Sequence, residues 1–158
     1  MAGFDYSIID NEHNRMSKET MVDLLRAADI SGIIPIVRVR ENRRAQILPG
    51  LDAGGLGVMV PETENAEEVK HVVESALYTP EGCRGYTNSG RAAGYGFMNA
   101  SEYPRVSNEN ILVIANCETV KGLDNLSEMV AAPHLDFRWI GPMDLMQGRR
   151  CCRWDRGT

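Results

Sequence analysis

The sequence predicts an α/β protein built on a parallel sheet, and three observations lead there. Short apolar runs alternate with amphipathic helical stretches about every 25 residues, the cadence of βαβ units. The apolar runs stop at Asp10–His13, Arg38, Pro61, Glu118 and Gly141–Asp144, and parallel α/β folds build their sites at such strand ends. The chain has 158 residues, 43% of them hydrophobic, enough for one sizeable core and hardly two.

The elements follow in order. Apolar strands are expected at Tyr6–Ile9, Ile33–Val39, Gly57–Val60, Ile111–Ile114 and Phe137–Ile140. Between the first two, Met21, Leu24, Leu25 and Ala28 recur at helical spacing, in a helix entered at Ser17 and left at Gly32. Residues Arg43–Asp52 start as a helix that Pro49 should interrupt. A further helix carries Val69, Val72, Val73, Ala76 and Leu77 on one face, with Asn65 as N-cap and Glu68 three residues on. Another, around Leu123, Leu126, Met129 and Val130, stops before Pro133. Residues 79–110 form one long irregular stretch, and a loop of that length in a compact domain is functional or disordered. A short helix at Ala100–Val106 is possible there, with Pro104 against it.

Composition excludes several classes. A net charge of -5 is not the footprint of a nucleic-acid binder. The longest apolar run, Ile33–Val37, is far too short for a membrane span, and no signal peptide is visible. Cys83, Cys117, Cys151 and Cys152 make no C-x-x-C pair and no zinc spacing, so reduced thiols in a cytoplasmic protein are expected. "GLGVMVP" is no phosphate loop, because its glycines precede a strand and no G-K-[ST] follows.

The strand ends carry the candidates for chemistry. "IIDNEH" turns from Ile8 and Ile9 straight into Asp10, Asn11, Glu12 and His13. Asp10 and His13 suit an oriented pair, the carboxylate fixing the tautomer of an imidazole that acts as base. Arg38 ends the second strand, where a permanent cation suits a carboxylate or a developing enolate oxygen; the alternative is a salt bridge to Asp10 or Glu12. Glu118 and Asp144 end the last two strands, as two carboxylates for a hard divalent cation or as helix caps. His71 and His134 read as structural or surface residues.

Together, "GFDYSIIDNEH", "PIVRV", "LDAGGLGVMVPETENAEEV", "PEGCRGYTNSGRAAGYG", "ENILVIANCET" and "WIGPMDL" resemble, in order and spacing, the HpcH/HpaI aldolase/citrate lyase family over about residues 2 to 146. More narrowly they are similar to its metal-dependent 4-hydroxy-2-oxo-acid (pyruvate) aldolases. The resemblance implies a (β/α)8 TIM barrel holding Mg²⁺, Mn²⁺ or Co²⁺, with Glu118 and Asp144 as metal ligands. It implies Arg38 on the C2 oxygen of a pyruvate-like substrate, and His13, oriented by Asp10, as the base for the 4-hydroxyl proton. Asn116 falls where the family often has Gln near the substrate, and the turn Gly141, Pro142, Met143 would offer backbone to the substrate carboxylate. Glu12 and Arg84 belong to the motifs without an assigned role. Small-molecule partners follow, a 2-oxo acid and an aldehyde, and the intact family implies a homo-oligomer.

The chain departs from the family in two ways. Five of eight βα units are recognisable within residues 1–146, so the expectation is a partial barrel truncated at both ends. Residues 147–158, "QGRRCCRWDRGT", lack an apolar period and are expected to form a non-homologous, disordered tail. Two alternatives to the aldolase stand: a CoA-thioester lyase of the citrate or malyl type, and an inactive truncated paralogue acting only by association.

Overall fold

The computed structural model describes residues 3–14 and 16–154. Five strands, β1 (Tyr6–Asp10), β2 (Ile34–Arg38), β3 (Gly57–Val60), β4 (Leu112–Cys117) and β5 (Phe137–Ile140), form one sheet in the order β1-β2-β3-β4-β5. Every neighbouring pair is parallel. Because each strand lies beside its sequence neighbour, all crossovers advance in one direction. That is the winding of a (β/α)8 barrel; a doubly wound sheet reverses its strand order part-way.

Helices α1 (Lys18–Ile30), α2 (Arg44–Asp52) and α3 (Ala66–Ala76) make the first crossovers. Alternation along each strand sends Ile9, Val37, Val58, Val60 and Val113 to the outer face, where Met21, Leu25, Ile47, Leu51, Val72 and Val73 complete the main core. The opposite, inner face carries Ile36, Met59 and Ile114, with Ile8 and Leu112 packed against them. With Phe137 and Trp139 these side chains line an apolar cavity of about 220 Å³ on the inside of the curved sheet.

The caps behave as the sequence suggests. The Ser17 hydroxyl accepts the Thr20 N–H at 3.2 Å, and Asn65 Oδ1 accepts the Glu68 N–H at 2.9 Å. Glu68 returns a carboxylate oxygen to the Glu64 N–H at 2.7 Å. Two helices differ from expectation. Helix α2 runs through Pro49 without a break, because Ile47 and Leu51 are fully buried and Gly50 lies against Val37, so packing outweighs the lost backbone bond. The helix expected near Leu123–Val130 divides at Asn125 into α5 (Val120–Asp124) and α6 (Leu126–Val130).

The stretch 79–110 is ordered. It contains a 3-10 turn at Arg91–Gly96 and helix α4 (Tyr103–Asn110), with Pro104 in its first turn, where a missing N–H costs nothing. Arg84 holds it together: its side chain is fully buried, meets Asp52 at 2.8 Å and stacks on the Tyr78 ring at 4.6 Å. Of the two motif residues without a sequence-derived role, Arg84 is therefore a structural clamp. Helix α7 (Pro142–Trp154) continues past Met146 through residues 147–154, which the sequence sets apart as a tail; the rest of that tail, 155–158, lies outside the described residues. Among the described residues no helix is long and apolar enough to cross a membrane.

Candidate active site

β1 ends at Asp10 and the chain turns at once. Asp10 Oδ1 accepts the Glu12 N–H at 3.0 Å and the His13 N–H at 3.4 Å, the local turn that aspartate forms with the backbone following it. The same carboxylate faces Arg38, its registered partner on β2. Arg38 Nε donates to Oδ1 at 2.9 Å and Nη2 lies 2.8 Å from Oδ2, a bidentate pair. The remaining nitrogen, Nη1, stands 3.0 Å from Glu12 Oε2. That oxygen is also 3.5 Å from His13 Nε2, yet it is buried and receives no well-aligned N–H from either neighbour.

Two strands away, Glu118 follows β4 and is 6% exposed. Asn116 Nδ2 donates to its Oε1 at 2.9 Å and the Glu62 N–H donates to its Oε2 at 3.1 Å. Glu62 adopts φ 51°, a left-handed conformation costing about 1–2 kcal/mol for a residue with a Cβ. The backbone there is bent so that an amide reaches Glu118. Thr63 donates its hydroxyl to the Asn116 carbonyl at 2.7 Å, and the Arg138 guanidinium braces Thr63 in turn. On the other side Gly141 covers Glu118: a Cβ on Gly141 would sit 2.6 Å from Glu118 Cγ.

Helix α7 opens beyond β5 at Pro142. Of the turn Gly141–Met143, the Gly141 N–H is already bound to the Cys117 carbonyl at 3.1 Å and Pro142 has none. Met143 lies in the first turn of α7, where the helix itself does not use its amide. Asp144 is exposed in the first turn of α7, compatible with ligand duty and with the helix dipole. Glu118 is no cap, because Thr119 caps α5 by accepting the Gly122 N–H at 3.0 Å.

The charges are unevenly satisfied. Burial acts to raise the Asp10 pKa, but the Arg38 hydrogen bond, the turn amides and the Arg38 charge together bring it below the usual carboxylate value. For Glu12 burial prevails, with the negative charges of Glu118 and Asp10 assisting against Arg38, and its pKa rises. Asn116 Oδ1 is buried without a donor, as Glu12 Oε2 is. An anchored buried carboxylate beside orphaned oxygens is a donor set suited to a hard divalent cation. Glu118 and Asp144 are the residues that could hold one, with substrate oxygens and water completing the shell. Among the described residues no three His, Cys, Asp or Glu side chains are close enough to hold a metal by themselves.

The structure thus brings Asp10, Arg38 and His13 to one strand edge, with Asn116 and Glu118 on β4. It does not pair Asp10 with the His13 ring: Asp10 meets only the His13 backbone, and the imidazole lies against Glu12. Sequence reasoning also missed Glu62, Thr63 and Arg138. The amide, hydroxyl and brace they supply leave no motif, although Glu62 directly after Pro61 at the end of β3 was a position to inspect.

The family model for HpcH/HpaI aldolase/citrate lyase matches residues 1–157. The chain belongs to that family. Among curated relatives, this HpcH/HpaI chain is 37% identical over 144 residues to a 2-dehydro-3,6-dideoxy-6-sulfogluconate aldolase of Pseudomonas putida, covering 91% of the chain and 56% of the relative. Among solved structures it is similar to an HpcH/HpaI aldolase from Desulfitobacterium hafniense, with a TM-score of 0.88 and 30% identity over 94% of the chain and 57% of the other. It is similar also to the citrate synthase SbnG, with a TM-score of 0.84 and 34% identity over 94% of the chain and 56% of the other. The chain spans about half the length of the curated relatives it matches. Its five-stranded sheet is the corresponding part of their barrel fold.

Proposed function

We propose that this site cleaves the carbon–carbon bond of a 4-hydroxy-2-oxo acid, releasing pyruvate or a related 2-oxo acid and an aldehyde, with the help of Mg²⁺, Mn²⁺ or Co²⁺. The observation that carries the reading is the strand edge itself, where the Arg38 cation and the anchored Glu118 carboxylate flank buried oxygens without donors. The aldolase relatives support the reaction class.

In this reading Glu118 and Asp144 hold the cation, which when bound supplies Lewis-acid polarisation of the substrate's 2-oxo group. His13 accepts the 4-hydroxyl proton. The O–H electron pair becomes the aldehyde C=O as the C3–C4 bond breaks, and that bond's pair forms the C2–C3 double bond of the enolate. Arg38, fixed by Asp10, offsets the charge arriving on the C2 oxygen. Protonation of C3 completes the 2-oxo acid. The Asn116 amide lies beside Glu118, and the Met143 N–H faces the substrate carboxylate at the helix N-terminus. The unpaired Cys83 and Cys117 suit a cytoplasmic setting.

Pyruvate release from a generic 4-hydroxy-2-oxo acid tests this. Release should need Mn²⁺, stop with chelator and fall at least about 100-fold in Glu118→Ala; cleavage indifferent to both would refute it. The likeness to a citrate synthase favours a second reading, carbon–carbon chemistry on a citrate-type or CoA-thioester substrate. Turnover of an acyl-CoA in preference to a free 2-oxo acid would select it.

A further inference from the structure

We propose that Glu12 is the positioning residue of this site: its carboxylate holds the His13 ring at Nε2, and Nδ1 is thereby the nitrogen that exchanges the substrate proton. The role of that proton rests on the aldolase reading above; the Glu12–His13 arrangement does not.

Asp10, the obvious partner from sequence, has no capacity left. Its Oδ1 faces Arg38 Nε at 2.9 Å, the Glu12 N–H at 3.0 Å and the His13 N–H at 3.4 Å. Its Oδ2 faces Arg38 Nη2 at 2.8 Å and Asn14 Nδ2 at 3.3 Å. Five donors more than fill the roughly four lone-pair sites of a carboxylate. Glu12 is in the opposite state. Its Oε2 is buried, lacks an aligned donor and sits 3.5 Å from His13 Nε2.

The two side chains also differ in freedom. Glu12 is 17% exposed and tethered by Arg38 Nη1 at 3.0 Å, whereas His13 is 62% exposed. The buried, tethered group therefore orients the exposed one. A neutral imidazole has one N–H and one bare nitrogen, and a carboxylate beside Nε2 keeps the proton there. The lone pair is then on Nδ1. Because Glu12 also touches Arg38, which Asp10 fixes, one carboxylate lies against both the base and the cation.

Nitrogen-15 NMR of the imidazole in the whole chain, at a pH where His13 is neutral, reads the tautomer without any turnover. The wild type should show the proton on Nε2. Glu12→Ala should shift the signals towards a mixture of tautomers, and Glu12→Gln should restore them through its carbonyl oxygen. In turnover, Glu12→Ala should lower kcat about 10–100-fold, with partial rescue by Gln. A proton on Nδ1 in the wild type overturns the proposal even if Glu12→Ala fails to fold, and so do signals unchanged by that substitution. If the tautomer behaves as stated but no 2-oxo acid is cleaved, the aldolase reading fails while the positioning role stands.

Discussion

Gly141 offers the sharpest perturbation of the Glu118 carboxylate, because it touches Glu118 without contributing a side chain. In Gly141→Ala the new Cβ would lie 2.6 Å from Glu118 Cγ and 2.9 Å from Oε1. Non-bonded carbons settle at about 3.5–4.0 Å, so the carboxylate must retreat by about 1 Å. It cannot do so freely, since Asn116 and the Glu62 amide hold its two oxygens. Overpacking of this kind costs about 1–3 kcal/mol, and for a chain of this size that lowers Tm by about 2–10 °C. A misplacement of about 1 Å at a reacting centre costs about 100-fold in rate. A calorimetric melt and a lactate-dehydrogenase-coupled pyruvate assay read the two effects separately. Adding Glu118→Asp, one methylene shorter, should recover much of the Tm and none of the activity. A Gly141→Ala protein with wild-type Tm and a rate within about twofold of wild type would refute the reasoning.

Three other predictions follow from the same geometry. Arg84→Met removes one partner of a buried ion pair and should cost about 3 kcal/mol, seen as a urea midpoint shift with an unchanged slope. Asp10 has a pKa held below its ordinary 3.8, so its ionised form stabilises the fold above that pH and the contribution fades as pH falls through the lowered folded value. The stability gap between wild type and Asp10→Asn should be constant near neutrality and close in acid below 3.8; a gap that widens there contradicts the pairing with Arg38. Leu51→Ala, in the 1%-exposed outer core, should cost about 2–5 kcal/mol, whereas Phe137→Ala on the 57%-exposed inner face should cost about 1 kcal/mol or less by the same denaturation assay.

The sequence made the strands and their polar ends legible, because buried parallel strands are nearly continuous apolar runs that the site must interrupt. Asp10, Arg38 and Glu118 could be read as strand-end groups for that reason. The partner of His13 could not. Asp10 and Glu12 lie three and one residues before it, and the choice between them depends on how the turn folds once Arg38 has taken Asp10. Glu62 was hidden for a related reason: it acts through its backbone amide in a left-handed conformation, which side-chain identity does not advertise. The split of α5 from α6 and the passage of α2 through Pro49 were decided by packing that a local pattern does not contain. The long stretch 79–110 looked irregular because its order comes from partners distant in sequence, Arg84 with Asp52 and Arg91 with Asp29.

In the proposed reading, Glu118 and Asp144 jointly hold a divalent cation that meets a 2-oxo acid. Electron paramagnetic resonance of Mn²⁺ added to the whole chain, with and without pyruvate, measures this directly. Mn²⁺ should bind and its spectrum should change with pyruvate, with binding lost in Glu118→Gln and weakened in Asp144→Asn. Mn²⁺ that binds equally well to both variants, or that takes no notice of pyruvate, would contradict it.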